Sequence, residues 1–385
     1  MKNNKKLKVL IEGTPIFRNR SGVGQYVFHM LDELFKIDNI NHYQIFGFLF
    51  IGKKFVKPYA TLPPNASYRL VRYLPSKVVN IMSRKISPPP IDLISLTKPD
   101  VVLFTNFVRS PLITKAKSIV IVYDMSFVLF GQYSDKKNNE LLIKQVPKAV
   151  RQADVIITIS ENSKAEIIKS YKVDPTKIEI ISPAVDHKEY FPKNKTEISK
   201  VINKYGIIKD YILYTGTLEP RKNIVGILKS YSLLPKPLRE KHSLVLAGGK
   251  GWLDEEIEEK LNELKDLNII RTGYVADEDL PAIYSGATVF VYPSFYEGFG
   301  MPPLEAMACG LPVITSNNSS LPEVVGDAGI MVNANDIREL TKSIEKVLNS
   351  PELQKEMIKK GLKQASKFSW EKSAKKLKEL IDLAV

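Results

Sequence analysis

Cysteine is nearly missing from this 385-residue chain. The single one, Cys309, allows no intrachain disulfide and no cysteine-based zinc cluster. That scarcity fits a reducing compartment. Histidine is almost as rare: His29, His42, His187 and His242 are scattered, and no pair has metal-ligand spacing. Each reads as an ordinary core or surface residue, and no metal is expected. Long hydrophobic runs are also lacking. The longest apolar block, residues 43–51, is about half of what a bilayer-spanning helix needs. Residues 7–11, behind a basic N-terminus, are too short for a signal peptide. A cytoplasmic protein without a transmembrane helix is expected. Acidic residues are absent from one whole segment. Residues 39–91 hold no Asp or Glu, yet they hold Lys53, Lys54, Lys57, Arg69, Arg72, Lys77, Arg84 and Lys85. Those eight make up over half of the net charge of +14. An anionic membrane, a nucleic acid or a polyanionic substrate could each meet such a segment.

What is present is ordinary globular composition, 44% apolar and 25% charged, which excludes a disordered or fibrous chain. At roughly 100–200 residues per domain, the length gives two domains or three. Short β-rich runs alternate with helical patterns throughout. Strands are expected at 8–13, 43–50, 101–104, 118–123, 155–159 and 178–181, then at 211–216, 243–247, 269–272, 289–292, 312–315 and 329–332. Helical patterns include 25–35, 223–234, 253–265, 279–285, 337–348 and 353–367. Alternation of this kind predicts an α/β fold of two doubly wound, Rossmann-like domains with parallel sheets. The polar, lysine-rich stretch 186–205 reads as their boundary. The division is therefore 1–188 and 189–369, with the amphipathic, basic segment 370–385 returning to the first domain. Residues 62–90 hold six prolines and predict a long loop or broken helix. Ligands of such folds bind at the carboxyl ends of the strands, so the site is expected in the cleft between the domains.

Three segments carry candidate chemistry. Arg18-Asn19-Arg20-Ser21-Gly22-Val23-Gly24 lies between the first strand and the first helix. Its glycines would let backbone N–H groups approach an anion, but a plain tight turn needs glycine as well. A dinucleotide loop would need a third glycine where Val27 stands, and an acid after the second strand. The segment 214–223 runs from a strand end to a helix start near Asn223 and carries Arg221 and Lys222. Cations at a helix N-terminus oppose the macrodipole unless an anion joins them, which favours a diphosphate clamp over the other reading, solvated surface charge. The segment 297–312 follows a strand with Glu297-Gly298-Phe299-Gly300-Met301-Pro302-Pro303-Leu304-Glu305. The prolines suit a helix start, and Gly310 with Pro312 stops the helix after barely two turns. Glu305 is expected in its first turn. Open N–H groups there invite phosphate, and two carboxylates beside a Gly-rich loop suit the hydroxyl pairs of a sugar or ribose.

Glu297 and Glu305, eight residues apart within this setting, resemble the signature of glycosyltransferase family 4, retaining enzymes of the GT-B fold. Residues 216–223, 246–251, 273–275, 310–314, 321–324, 160–163 and 368–371 are similar to further family motifs. The resemblance is dense over 155–370 and sparse before that. It implies that Lys222, helped by Arg221, neutralises the donor diphosphate, and that Glu305 holds the nucleotide ribose. It implies that Gly300 and Met301 offer N–H groups, with Leu304 beside them, and that Glu297 contacts the transferred sugar. Tyr274 and Val275 would lie near the base, and Gly22 would close on the donor phosphate. Two positions depart from the pattern. Thr217 stands where Arg is frequent, so Arg221 substitutes for it. Tyr123 stands where many members carry His, a variation that resembles mannosyltransferase members; the adjacent Asp124 is an acceptor-side candidate.

The expected activity is transfer of a hexose, mannose favoured, from a nucleotide diphosphate sugar such as GDP-mannose to a glycan or lipid-linked acceptor in polysaccharide or glycolipid assembly. A UDP-sugar donor is the alternative. No cofactor is expected, the donor being a co-substrate. The basic stretch 53–85 is interleaved with apolar residues. It reads either as an amphipathic segment on an anionic membrane or as a helix covering the sheet. A sugar-nucleotide epimerase would need acid/base side chains, which the few histidines do not favour. A nucleic-acid-binding protein would need a motif that the chain lacks.

Overall fold

The structure, a computed structural model, describes residues 6–17, 22–48, 57–71, 89–133, 136–208, 210–251 and 255–385. The chain forms two compact units. One takes in Met1–Val128, Asp135–Pro183 and Trp370–Val385, the other Leu129–Ser134 and Ala184–Ser369.

The first unit is built on β1 (Lys8–Glu12), β2 (His42–Phe48), β3 (Ala66–Val71), β4 (Val101–Phe104), β5 (Lys117–Ile121), β6 (Val155–Thr158) and β7 (Ile178–Ile180). They pair in parallel in the order β3-β2-β1-β4-β5-β6-β7. Central strands such as β4, Val-Val-Leu-Phe, are apolar throughout because parallel strands are covered on both faces. Leu10, Phe46, Val102, Phe104, Val120 and Ile156 form the heart of this core. The helix Trp370–Leu383 completes it. Trp370 stacks on His29 with centroids 5.3 Å apart and meets Tyr26 edge-on, while Ala374, Leu377 and Ile381 are wholly buried.

The second unit carries β8 (Asp210–Thr215), β9 (His242–Ala247), β10 (Ile269–Gly273), β11 (Val289–Tyr292), β12 (Val313–Ser316) and β13 (Ile330–Val332). These are also parallel, in the order β10-β9-β8-β11-β12-β13. Strand order reverses between β8 and β11. The carboxyl ends of strands where the order reverses are the usual ligand position in such sheets.

One expectation is corrected. Within 62–90, where a loop or broken helix was expected, Ala66–Val71 is an edge strand in register with β2. Asn65 fixes its start by donating from Nδ2 to the carbonyls of Asp38 and Asn41, at 2.9 and 2.7 Å. An edge strand is only half-buried and lacks the long apolar run of a central one, so its sequence signal is weak. Of the eight cations in the basic stretch, only Lys57 and Arg69 fall among the described residues; Arg69 donates from Nε to the Ser95 carbonyl at 2.6 Å. The polar stretch 186–205 contains a helix, Lys195–Lys204, started by a capping box between Asn194 and Glu197. Ile198 and Ile202 of this helix approach Gly286 so closely that a Cβ there would lie 2.7 Å from Ile198.

Candidate active site

Strand β8 ends at Thr215, and the chain turns at Gly216 with φ +130°. A Cβ on Gly248, at the end of the neighbouring strand β9, would fall 1.9 Å from the Gly216 carbonyl oxygen, so only glycine permits this approach. The two loops then run together: Leu218 donates to Gly249 O at 3.0 Å, and Gly251 donates to Leu218 O at 3.1 Å. A single 3-10 turn, Pro220–Lys222, follows, and Asn223 caps the helix Ile224–Ser232. Asn223 is left-handed, with φ 58°, and uses its whole amide. Its Oδ1 accepts from Gly226 N at 3.2 Å, and its Nδ2 donates to Pro293 O at 3.1 Å and to Ala334 O at 2.7 Å. These bonds fasten the turn to the ends of β11 and β13. Arg221 and Lys222 are thereby aimed at the loop that leaves β11.

That loop is held just as firmly. Ser320 donates to the carbonyls of Glu297 and Phe299 at 2.8 and 2.6 Å, and Glu297 N donates to Ser319 Oγ at 3.0 Å. Phe295 N donates to Arg221 O at 2.9 Å, which links the two loops directly. Lys222 Nζ lies 2.6 Å from Glu297 Oε1 and donates to the Tyr292 hydroxyl, also at 2.6 Å. Arg221 reaches Glu297 Oε2 at 3.4 Å, the Tyr296 carbonyl at 2.6 Å and Glu219 Oε1 at 2.6 Å. The side chains of Lys222 and Glu297 are only 12% and 9% exposed, so solvent screens the pair little. Burial alone would raise the Glu297 pKa; the Lys222 ammonium and Arg221 guanidinium overcome it and hold the carboxyl below its ordinary value.

The helix after this loop is Met301–Ala308, entered through Gly300 with φ +121°. A Cβ on Gly300 would also meet Leu321 at 2.8 Å. Two details differ from expectation. Glu305 is the fifth helical residue and lies beyond the first turn, which contains no acid. The helix start also offers fewer open N–H groups than a helix normally does. Pro302 and Pro303 have none, and Leu304, wholly buried, donates to Gly300 O at 3.3 Å. Of the N–H groups at this helix start, those of Gly300 and Met301 are left as candidates for an anion.

Glu305 stands apart from the cation cluster, beside β8. Its Oε2 accepts from the Tyr284 hydroxyl at 2.8 Å, and that hydroxyl lies 2.6 Å from Thr215 Oγ1. Burial pushes its pKa up to about 7, and the Asp277 carboxylate adds to the shift. The structure thus brings Arg221, Lys222 and Glu297 into contact and gives Glu305 a separate hydroxyl-lined setting. Four supporting residues escaped the sequence reading: Glu219, Asn223, Tyr284 and Tyr292. The tyrosines resemble core aromatics at strand and helix positions. Asn223 and Glu219 lie in a segment that resembles a family motif, but the sequence assigns neither a role in the site.

Comparison with known proteins decides the family. Residues 195–364 match the family described as glycosyl transferases group 1, and residues 54–189 match glycosyltransferase family 4. O-antigen chain mannosyltransferase B of Escherichia coli is 39% identical over 257 residues, which cover 66% of this chain and 67% of that protein. The chain belongs to the group 1, family 4 glycosyltransferases. Serotype-specific mannosyltransferase WbdA of Escherichia coli is 32% identical over 67% of this chain, which corresponds to 32% of its own length. In fold, the glycosyltransferase is similar to the solved sucrose-phosphate synthase of Thermosynechococcus elongatus, with a TM-score of 0.76, 19% identity and 98% of each chain covered. The architecture is GT-B.

The remaining candidates of this glycosyltransferase fall as follows. Tyr274, after β10, is 75% exposed, whereas Val275 is buried. Gly22 begins the helix Gly22–Ile37 of the first unit, and among the described residues no atom beyond its chain neighbours and its own helix backbone lies within 4 Å of where its Cβ would be; Arg18 to Ser21 lie outside the described residues. Asp124 accepts from Ser126 N at 2.8 Å, a local turn just before the helix Ser126–Leu129. Tyr123 is buried and donates to Thr105 O at 2.7 Å. The sequence also contains an Asp-x-Asp, Asp277-Glu278-Asp279. Asp279 accepts from Lys204 at 2.6 Å and from Tyr205 at 2.8 Å, and among the described residues no group of three potential ligands could hold a metal ion.

Proposed function

We propose that this glycosyltransferase moves a mannosyl unit from GDP-mannose to a hydroxyl of a growing polysaccharide or lipid-linked glycan, with retention of configuration. The Arg221–Lys222–Glu297 cluster, where the strand order reverses, carries the reading of a diphosphate site. The mannosyltransferase relatives support the sugar and the polysaccharide role. In the reaction, the bond between the anomeric carbon and the β-phosphate oxygen breaks while the acceptor oxygen attaches on the same face. The acceptor proton passes to the departing phosphate. Lys222, Arg221 and the Gly300 and Met301 amides take up the charge that develops on that phosphate, so catalysis is positioning and electrostatics. Glu297 contacts the sugar, Glu305 the ribose hydroxyls, and Tyr274 and Val275 the base; Gly22 and Asp124 serve the first unit's share of donor and acceptor.

Donor thermal shifts across GDP- and UDP-sugars, followed by acceptor-dependent release of GDP, test this. GDP-mannose is expected to give the largest shift, and turnover is expected to persist after chelation of divalent metals. Preferential turnover of a UDP-sugar would overturn the choice of donor.

The acceptor side is proposed to meet the cytoplasmic face of an anionic membrane through residues 53–85. Among the described residues, no helix is long and apolar enough to cross a membrane, so any attachment through them would be peripheral. Cosedimentation with vesicles is expected only with anionic lipid and is expected to weaken with salt. Absence of binding at low salt would end this part of the proposal.

A further inference from the structure

The cations of the clamp are already paired. Lys222 and Arg221 bring two positive charges, and Glu297 and Glu219 set two negative charges within ion-pair reach. Glu297 is the carboxylate shared by both cations, one oxygen toward each. Glu219 pairs with Arg221 at 2.6 Å. The cluster is neutral before any ligand arrives. A diphosphate that enters it must compete with a carboxylate for the same donors. Anchoring makes Glu297 the one to yield without loss of structure. Its backbone is held at N by Ser319 and at O by Ser320, so its side chain can turn away while the loop stays in place.

We propose, on the reading of the site given above, that Glu297 is the resident counter-anion of the clamp: donor diphosphate displaces it from Lys222 and Arg221, and its return after transfer ejects the nucleoside diphosphate. The charges explain why such a device is useful. A sugar-linked diphosphate carries two negative charges, whereas the nucleoside diphosphate left after transfer carries close to three, because its terminal phosphate now ionises again. Bare cations would therefore hold the product more tightly than the donor. With the donor in place, the displaced carboxylate has sugar hydroxyls to accept from. Once the sugar has left with the acceptor, those partners are gone, and the ammonium and guanidinium become its best partners again. Glu297 thus favours intact donor over product.

Calorimetric titration of wild type and Glu297→Gln with inorganic pyrophosphate, GDP and GDP-mannose, without acceptor, tests the exchange. Glu297→Gln is expected to bind pyrophosphate and GDP about tenfold or more tightly than wild type, the usual worth of freeing one close charge pair. GDP-mannose is expected to gain less, because the sugar contact is weakened. Equal or weaker binding of pyrophosphate and GDP by the variant overturns the inference while leaving the site reading intact, provided wild type binds them. If neither protein binds either probe, both readings fall. Should Glu297→Gln fail to fold, Glu297→Asp serves in its place. Its shorter reach is expected to tighten pyrophosphate binding in the same direction by a smaller factor, and unchanged or weaker binding would again overturn the exchange.

Discussion

Lys222→Ala is expected to lower kcat/KM for sugar transfer by about 10²–10³-fold, the usual cost of removing one preorganised charge from a developing oxyanion. Most of the loss should appear in kcat, because the leaving phosphate gains charge as the glycosidic bond breaks. The substitution also reaches the fold. It leaves the Glu297 carboxylate buried with only the 3.4 Å contact to Arg221 among its ion pairs. Removing one partner of a buried pair costs about 3–5 kcal/mol. The pH dependence gives a second check. In wild type, the depressed Glu297 pKa contributes stability that is present above the unfolded carboxyl pKa and is lost as pH falls through the folded one. Without Lys222, burial dominates and the folded pKa moves upward, so the contribution weakens or reverses, and the deficit should be largest at neutral pH. Lys222→Ala combined with Glu297→Gln should recover much of the melting temperature and none of the turnover. A single variant within twofold of wild-type kcat/KM would remove Lys222 from the clamp.

The same cluster shows what could be read from the sequence and what could not. Arg221 and Lys222 stood out because cations before a helix oppose its dipole, and Glu297 stood out because it opens a Gly-rich loop at a strand end. Both signals are local. Contact between the two segments is not local: it follows from the reversal of strand order that makes β8 and β11 neighbours. The alternation of strands and helices announced parallel sheets, since a buried parallel strand is apolar throughout, as in Val289–Tyr292. Where burial is partial, the signal fades. Ala66–Val71 sits at a sheet edge with only Val71 fully buried, and Lys195–Lys204 presents two isoleucines to a neighbour and otherwise reads as linker. Supporting residues are harder still. Tyr284 and Tyr292 are indistinguishable in sequence from core tyrosines, and their hydroxyl partners become visible only after folding.

Glu305→Gln is expected to make the protein more stable and less competent, with the sign of the stability change set by pH. The folded pKa of about 7 lies above the ordinary carboxyl value of 4.5. Between those values the native state holds a proton that the unfolded chain has released, so unfolding free energy falls as pH rises through that window. Above pH 7 the penalty is complete. For this half-buried group it is on the order of 2 kcal/mol. Glutamine keeps the size and the bond to the Tyr284 hydroxyl without the charge. Its melting temperature should match wild type near pH 4.5 and exceed it at pH 8 by several degrees, at about 2–4 °C per kcal/mol. Binding should move the opposite way. An ionised carboxylate accepts from ribose hydroxyls through charge-assisted bonds worth about 1.5–3 kcal/mol, so GDP affinity should fall about 10- to 100-fold in the variant at pH 8. In wild type, GDP affinity should change between pH 6 and 8 with two ionisations, that of Glu305 and that of the terminal phosphate of GDP; in the variant only the phosphate's part should remain. On the proposed reading, the fold bears the cost of this carboxylate because the ribose needs an acceptor there. Melting curves at both pH values, with GDP titrations alongside, separate the two effects: a variant no more stable than wild type at pH 8 would mean that Glu305 carries no such penalty.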